Sequence, residues 1–147
     1  MNRTLIAIVA VAASALMLSA CASDEKKMAP PPVAAQPVPP PPPPVKNVTT
    51  KARGAVLADA ATGKTLYTYA KDAADKSACV GQCAKNWPPF GAAADAKAQG
   101  DWTIIARADG AKQWVYKGKP LYFWVKDKKP GDTTGHGFGK VWAVARP

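Results

Sequence analysis

Three cysteines offer the clearest chemistry in this chain, and their settings differ. Cys21 closes the run Leu18-Ser19-Ala20-Cys21, directly behind an apolar stretch from Leu5 to Met17 that follows Arg3 and the amino terminus. A basic start, an apolar run too short to cross a bilayer and small residues before a cysteine are the parts of a bacterial lipobox signal. The pattern predicts that residues 1–20 are a removed signal peptide. Cys21 then becomes a lipidated N-terminus, anchored to a membrane without spanning it. Ala22 stands where an aspartate would favour the inner membrane, so the reading leans to the outer membrane, facing the periplasm. An ordinary secretory signal with a chance cysteine is the alternative.

Cys79 and Cys83 are the only thiols beyond Cys21. In an oxidising envelope such a pair is most simply a disulfide, worth roughly 2 kcal/mol for so short a loop. The Cys-x-x-x-Cys spacing is neither the Cys-x-x-Cys of thioredoxin-like sites nor the Cys-x-x-Cys-His of haem attachment. Redox or metal use stays open as a second reading. His136 is the single histidine, set among glycines in Gly135-His136-Gly137-Phe138-Gly139 and expected as an exposed loop residue. One imidazole cannot build a zinc site, so no metal site and no cofactor are expected. Asp72 and Asp127 have two readings. They cap turns by accepting backbone N–H groups, or they act as the acid and base of a glycosidase. No phosphate loop, Ser-His-Asp set or ligand cluster appears, which favours a non-enzymatic role.

Composition divides the chain. Residues 21–50 read as the lipidated cysteine and a linker, because ten of the fifteen prolines lie between Pro30 and Pro44. Such a run favours solvated polyproline II and spaces a domain about 45 Å from its anchor, at about 3.1 Å per residue. Residues 51–147 hold all twelve aromatic residues and carry sixteen Lys or Arg against eight Asp, a net +8. Export excludes cytoplasmic nucleic acid as the partner for that charge. Anionic envelope polymers or an envelope protein are the partners it suits.

The elements that must position these residues are strands. Apolar runs of five to seven residues alternate with Gly or Asp-Gly turns, and no helical stripe appears. Gly54 to Asp59 and Lys64 to Ala70 read as one hairpin, Trp102 to Arg107 and Lys112 to Tyr116 as another, followed by strands at Lys119 to Val125 and Lys140 to Ala145. A short helix or loop insertion is expected within 77–98, broken by Pro88 and Pro89. The fold class is mainly β, a small antiparallel sheet or sandwich built from two related hairpin units.

The relation between the units is visible directly. Gly63 to Asp72 and Gly118 to Asp127 match at Gly, Lys, Leu, Tyr, an aromatic, Lys and Asp, 55 residues apart. The residues resemble a family of predicted bacterial lipoproteins with a repeated Tyr-x-aromatic-x-x-Asp motif, a secreted repeat of unknown function. The resemblance rests on Gly54, Val56, Leu57 and Asp59, on both motif copies, on Cys79 to Cys83 followed by Trp87-Pro88-Pro89, and on Gln113-Trp114-x-Tyr116. Gly118-x-Pro120-Leu121-Tyr122, Pro130-Gly131-Asp132 and Trp142 complete it. It implies an envelope lipoprotein and no particular activity.

In a strand, Tyr67 and Tyr69 share one face, and Tyr122 and Trp124 another, while the second copy is apolar on both faces. A structural motif would bury these four rings. The alternative is an exposed aromatic shelf that stacks sugars or a planar ligand, with Trp87, Trp114, Tyr116 and Trp142 as further binding candidates. The leading expectation is a membrane-tethered binding or structural protein. The second is a redox or cofactor-carrying accessory that uses Cys79, Cys83 and the aromatic cluster.

Overall fold

The structure, a computed structural model, describes residues 41–147; the expected signal peptide, Cys21 and the expected linker as far as residue 40 lie outside the described residues. Strands β1 (Val45–Thr50), β2 (Gly54–Asp59) and β3 (Tyr67–Tyr69) precede one short helix, α1 (Gln82–Asn86). Strands β4 (Trp102–Ala106), β5 (Lys112–Tyr116), β6 (Lys119–Pro120) and β7 (Trp142–Val144) follow. Every pairing is antiparallel: β1 with β2, β3 with β7, and β4–β5–β6 in one sheet. The fold is mainly β, built from small sheets and two repeat units. Among the described residues, no helix is long and apolar enough to cross a membrane.

The β4–β5 hairpin lies where alternation and Asp109-Gly110 place it. Elsewhere the strands are shorter than expected. Lys64 to Ala70 contributes only β3 plus a bridge from Thr65 to Ala58, and Lys119 to Val125 contributes β6 and bridges through Tyr122. The segments bend because three strands converge on each of two points. Leu66 donates its N–H to the Leu57 carbonyl (2.9 Å), Ala145 to Leu66 (2.8 Å) and Leu57 to Ala145 (2.9 Å). The second half closes the same ring, with Leu121 donating to Trp114 (3.1 Å), Phe90 to Leu121 (2.8 Å) and Trp114 to Phe90 (2.9 Å). Three strands cannot share one flat ladder, so each is paired for only a few residues.

The boundary at residue 51 needs correction. β1 begins at Val45, inside the segment read as linker, and pairs along its whole length with β2 from Val45↔Asp59 to Thr50↔Gly54. Val45, Val48, Thr49 and Thr50 suit an extended backbone. Two apolar residues after a proline run carry too little periodicity to show it. The helix at Gln82–Asn86 ends one residue before Trp87-Pro88-Pro89, as the missing N–H and fixed φ of proline require.

The halves also exchange their last segments. β7, which ends the second half, pairs with β3 of the first. Trp87 to Phe90, which ends the first half, bonds to the second at Leu121, Phe123 and Trp114. Successive residues of the paired segments face opposite ways. Val56, Tyr67, Tyr122 and Val144 enter one core cluster, while Leu57, Leu66, Leu121 and Ala145 enter the other. The central strands are thus covered on both faces, which explains their doubly apolar sequences.

Candidate functional site

The two motif copies meet at the centre of the domain. Tyr67 and Tyr122 face each other across an antiparallel bridge and exchange both backbone bonds, at 2.8 and 2.9 Å. Because the strands run in opposite directions, each tyrosine ring reaches the aspartate that ends the other copy. Tyr67 Oη donates to Asp127 Oδ2 (2.5 Å), and Tyr122 Oη donates to Asp72 Oδ2 (2.8 Å). The Tyr-x-aromatic-x-x-Asp spacing is satisfied between copies, not within one.

The third motif position stacks. Tyr69 lies on Trp142 (ring centroids 4.3 Å apart), Trp142 on Trp87 (3.8 Å, planes 4° apart) and Trp87 on Trp124 (4.0 Å). The column repeats the exchange, since Tyr69 and Trp124 are equivalent positions, as are Trp142 and Trp87. Tyr67 meets Trp87 edge-on (5.4 Å), and Tyr122 meets Trp142 edge-on (5.2 Å). Tyr67, Tyr122, Trp87, Trp124 and Trp142 are buried, and Tyr69 is half-buried. Trp114 is buried in the other core, against the edge of Trp102 (6.2 Å). These positions correct the shelf reading: Trp87, Trp114 and Trp142 present no open face to a ligand. Tyr116 alone of the additional candidates is half-exposed, and it borders a surface groove.

The two aspartates differ in what surrounds them. Asp127 is buried, and its Oδ1 accepts from Thr134 N–H (3.1 Å) and Thr134 Oγ1 (2.6 Å). Asp72 is half-buried and accepts Ala78 N–H at 2.7 Å. Burial raises the Asp72 carboxyl above its ordinary pKa, against the opposing pull of Ala78 N–H, the Tyr122 hydroxyl and Arg107. Burial, then hydrogen bonding to Asp72, pushes Tyr122 up to about 12; burial and Asp127 push Tyr67 up as well. Both carboxyl groups are spent on tyrosine hydroxyls and turns.

A polar chain runs from Asp72 into the core. Tyr122 Oη meets Ser77 Oγ (2.8 Å), which accepts from Arg107 Nη1 (2.8 Å). Arg107 is buried and also donates to Gln113 Oε1 (2.6 Å) and the Cys79 carbonyl (2.8 Å). Gln113 in turn donates to the Leu121 carbonyl (2.7 Å). Sequence reasoning gave Arg107, Ser77 and Thr134 no role. A lone arginine at the end of a strand reads as solvated, and only the fold buries it. Cys79 and Cys83 form the disulfide, which pins the carbonyl that Arg107 uses.

His136 also departs from expectation. It is half-buried, and its Nδ1 accepts the Val144 N–H (3.1 Å). Burial, with Arg53 and Arg146 nearby, holds its pKa below the ordinary 6.5.

A family described as a secreted repeat of unknown function, Lipoprotein_15, matches the chain twice, over residues 47–90 and 103–146. The chain belongs to this family. No curated protein and no solved structure matches it. Each matched copy of the family repeat ends in a segment, around Trp87-Pro88-Pro89-Phe90 or Trp142-Ala143-Val144-Ala145, that the structure gives to the opposite half. The repeat unit in sequence is therefore not the packing unit in space.

The surface above β3 and β7 is concave. A groove of about 520 Å³ is lined by Thr68, Tyr69, Asp72, Lys117, Lys119 and Ala143, among others. It adjoins a hollow of about 310 Å³ that shares Thr68, Lys117, Lys119 and Ala143 and adds Tyr116, His136 and Arg146. Lys117 and Gly118 take the left-handed backbone (φ 49° and 73°), as a two-residue hairpin turn requires. The turn sets Lys117 Nζ over the Tyr116 ring, 4.9 Å from its centroid.

Two predictions follow from the crossed bonds. In Asp72→Asn, the amide oxygen still accepts Ala78 N–H, and the amide nitrogen can donate to Tyr122 Oη, whose hydrogen turns to Ser77. The expected cost is under about 1 kcal/mol. In Asp127→Asn the oxygen serves Thr134, and the Tyr67 hydrogen is left without an acceptor, because the other partner of Tyr67 Oη is the Gly135 N–H donor (3.4 Å). That change should cost about 1–3 kcal/mol. Urea denaturation of both variants checks the order, and equal losses would refute it.

The second prediction concerns alkali. Native Tyr122 keeps its proton up to about pH 12, while in the unfolded chain it releases it near the ordinary 10.0. The native state then binds more protons, so stability falls as pH rises through that window, by about 1.4 kcal/mol per unit. Denaturation curves between pH 9 and 11.5 should show the fall, and Tyr122→Phe should make it shallower, leaving the share of Tyr67, which burial and Asp127 also hold above its ordinary value. An unchanged slope in the variant would contradict this assignment.

Proposed function

We propose that this chain is a non-enzymatic, lipid-anchored envelope protein whose domain holds an anionic polymer in the groove above β3 and β7. The observation that carries the reading is the pattern of charge. Lys117, Lys119 and Arg146 line the groove and its adjoining hollow, and none has a carboxylate within 4 Å. Among the described residues the one ion pair is Arg107 with Asp109 (3.5 Å). Asp72, the acidic residue of the groove, already accepts Tyr122 Oη and Ala78 N–H. A cleft whose cations outnumber its carboxylates, three to one across groove and hollow, concentrates anionic ligands at its mouth. Thr68 and Ala143, small residues on the adjacent strands, line both the groove and the hollow and make the two continuous, which gives a polymer more than one place to bind.

Cys21 and the lipobox before it support the anchor, and the proline run supports a spacer between anchor and domain. The alanine after Cys21 supports the outer membrane. The redox reading gains nothing comparable. The four stacked rings cover one another's faces, leaving no slot for a planar cofactor, and Cys79 and Cys83 are joined to each other.

Calorimetric titration with polygalacturonate, a soluble anionic polymer, should show binding that weakens as salt rises from about 0.05 to 0.3 M. Neutral dextran should not bind. The double variant Lys117→Glu with Lys119→Glu should bind about tenfold more weakly, given up to about 1 kcal/mol for each exposed charge contact. Lys85→Glu on α1, outside the groove, should bind as the native chain does. If Lys85→Glu is as damaging as the groove variant, attraction is diffuse and the groove is not the site.

The anchor is tested separately. The protein should fractionate with membranes, and Cys21→Ala should release it; wild-type chain that stays unprocessed and unlipidated would overturn this part.

A further inference from the structure

At the Trp124 end of the ring column, a different surface stands out. Phe138 sits on a 3₁₀ turn, Phe138–Lys140, between Gly137 (φ 80°) and Gly139 (φ 58°). The turn is tied by Gly137 N–H to the Trp142 carbonyl (2.8 Å) and by Lys140 N–H to the Gly137 carbonyl (3.0 Å). Lys140 adopts φ 59°, a left-handed backbone that a residue with a side chain seldom takes. The strained, glycine-flanked turn holds Phe138 over Trp124 (4.9 Å) and Trp87 (5.9 Å) yet leaves it 50% exposed. Val125, next to Trp124, is 38% exposed. Phe138 and Val125 are thus two of the three large hydrophobic side chains left exposed among the described residues.

Four lysines lie on the two segments that carry these side chains. Lys126 Nζ lies 5.7 Å from the Trp124 ring centroid, and Lys128 Nζ bonds the Val125 carbonyl (2.9 Å), with Lys129 beside it and Lys140 on the Phe138 turn. Against these four stands one carboxylate that is not buried, Asp132, and it accepts the backbone N–H groups of Lys128 and Lys129 (2.9 and 2.8 Å). Exposed apolar side chains on segments rich in long-stemmed cations have the chemistry of a peripheral lipid contact. The ring enters the acyl boundary, the stems lie along it, and the ammonium groups reach headgroup phosphates.

We propose that this face, centred on Phe138 and Val125, rests on an anionic lipid surface. The contact is separate from the lipid proposed on Cys21 and from the basic groove.

The test uses the chain from residue 21 onward with Cys21→Ser, so that no acyl chain contributes. It should sediment with phosphatidylglycerol vesicles at low salt and not with phosphatidylcholine vesicles. Phe138→Ala should weaken that association about tenfold, from the burial worth of one phenyl ring. Lys126→Ala and Lys140→Ala should each weaken it about fivefold. Circular dichroism should show these variants folded, and Lys85→Ala on α1, which removes one charge as Lys126→Ala does, should change vesicle binding less than twofold. Failure of the unacylated chain to bind phosphatidylglycerol vesicles overturns the proposal and leaves the anchor and the groove untouched. So does vesicle binding lost with the groove variant and kept in Phe138→Ala. A concentration-dependent dimer in sedimentation velocity that Phe138→Ala dissolves would assign the face to a second copy of the chain instead.

Discussion

The domain depends on one crossed contact. Tyr67 and Tyr122 are bonded backbone to backbone, and each sends its hydroxyl to the aspartate of the other repeat. Hydrogen bonds to a carboxylate are individually strong, and of these two the Tyr67–Asp127 bond is buried and short while the Tyr122–Asp72 bond is half-buried. Their larger effect is geometric, because neither can form unless both halves are folded and in register. The exchange of the final segments works in the same direction, since Trp87 and Trp142 each complete the half that did not encode them. A small domain has little volume with which to bury apolar area. Interleaving two copies allows one set of strands to be covered on both faces.

The aromatic column follows from that exchange. Four rings stack because the segments that carry Trp87 and Trp142 cross at the junction of the halves, and the motif residues Tyr69 and Trp124 close the ends. Gly135 belongs to the same packing: a methyl group there would lie 2.7 Å from Trp87 and 3.0 Å from Trp124, so the chain passes the column with no room for a side chain. Most of the ring area is thus spent on cohesion. The surfaces left open are the outer face of β3 and β7, where Lys117 and Lys119 have no carboxylate within 4 Å, and the Phe138 turn. Tyr69 touches both regimes, since one side of it stacks in the column and it also lines the groove.

The polar core around Arg107 has a comparable logic. A buried cation is costly unless its donors are met. Arg107 meets Ser77, Gln113 and the Cys79 carbonyl, which joins the disulfide loop to β5 and to the Tyr122 hydroxyl. The contribution of the disulfide is therefore more than loop entropy, since it steadies an acceptor for a buried charge. The remaining cations are solvated, and their excess over carboxylates is available to an anionic partner.

The residues alone determined much about this protein. Strand content was legible in the alternation and glycine turns, duplication in the paired Gly-Lys-x-Leu-Tyr segments, and the cysteine pairing in two thiols close together in an exported chain. Local pattern also showed that the second motif strand is apolar on both faces. The start of the domain at Val45 was not legible, because β1 is recognisable only by its pairing with β2. Nor was the role of Arg107, whose burial depends on segments 28 and 30 residues away. Above all, the sequence spacing placed Asp72 and Asp127 at the ends of their own strands, where each could cap a turn. Only the tertiary structure decided that each also serves the tyrosine of the other copy, 60 residues away for Tyr67 and 50 for Tyr122. Periodicity reports which face of a strand a residue occupies; it carries no information about which distant strand will lie against that face.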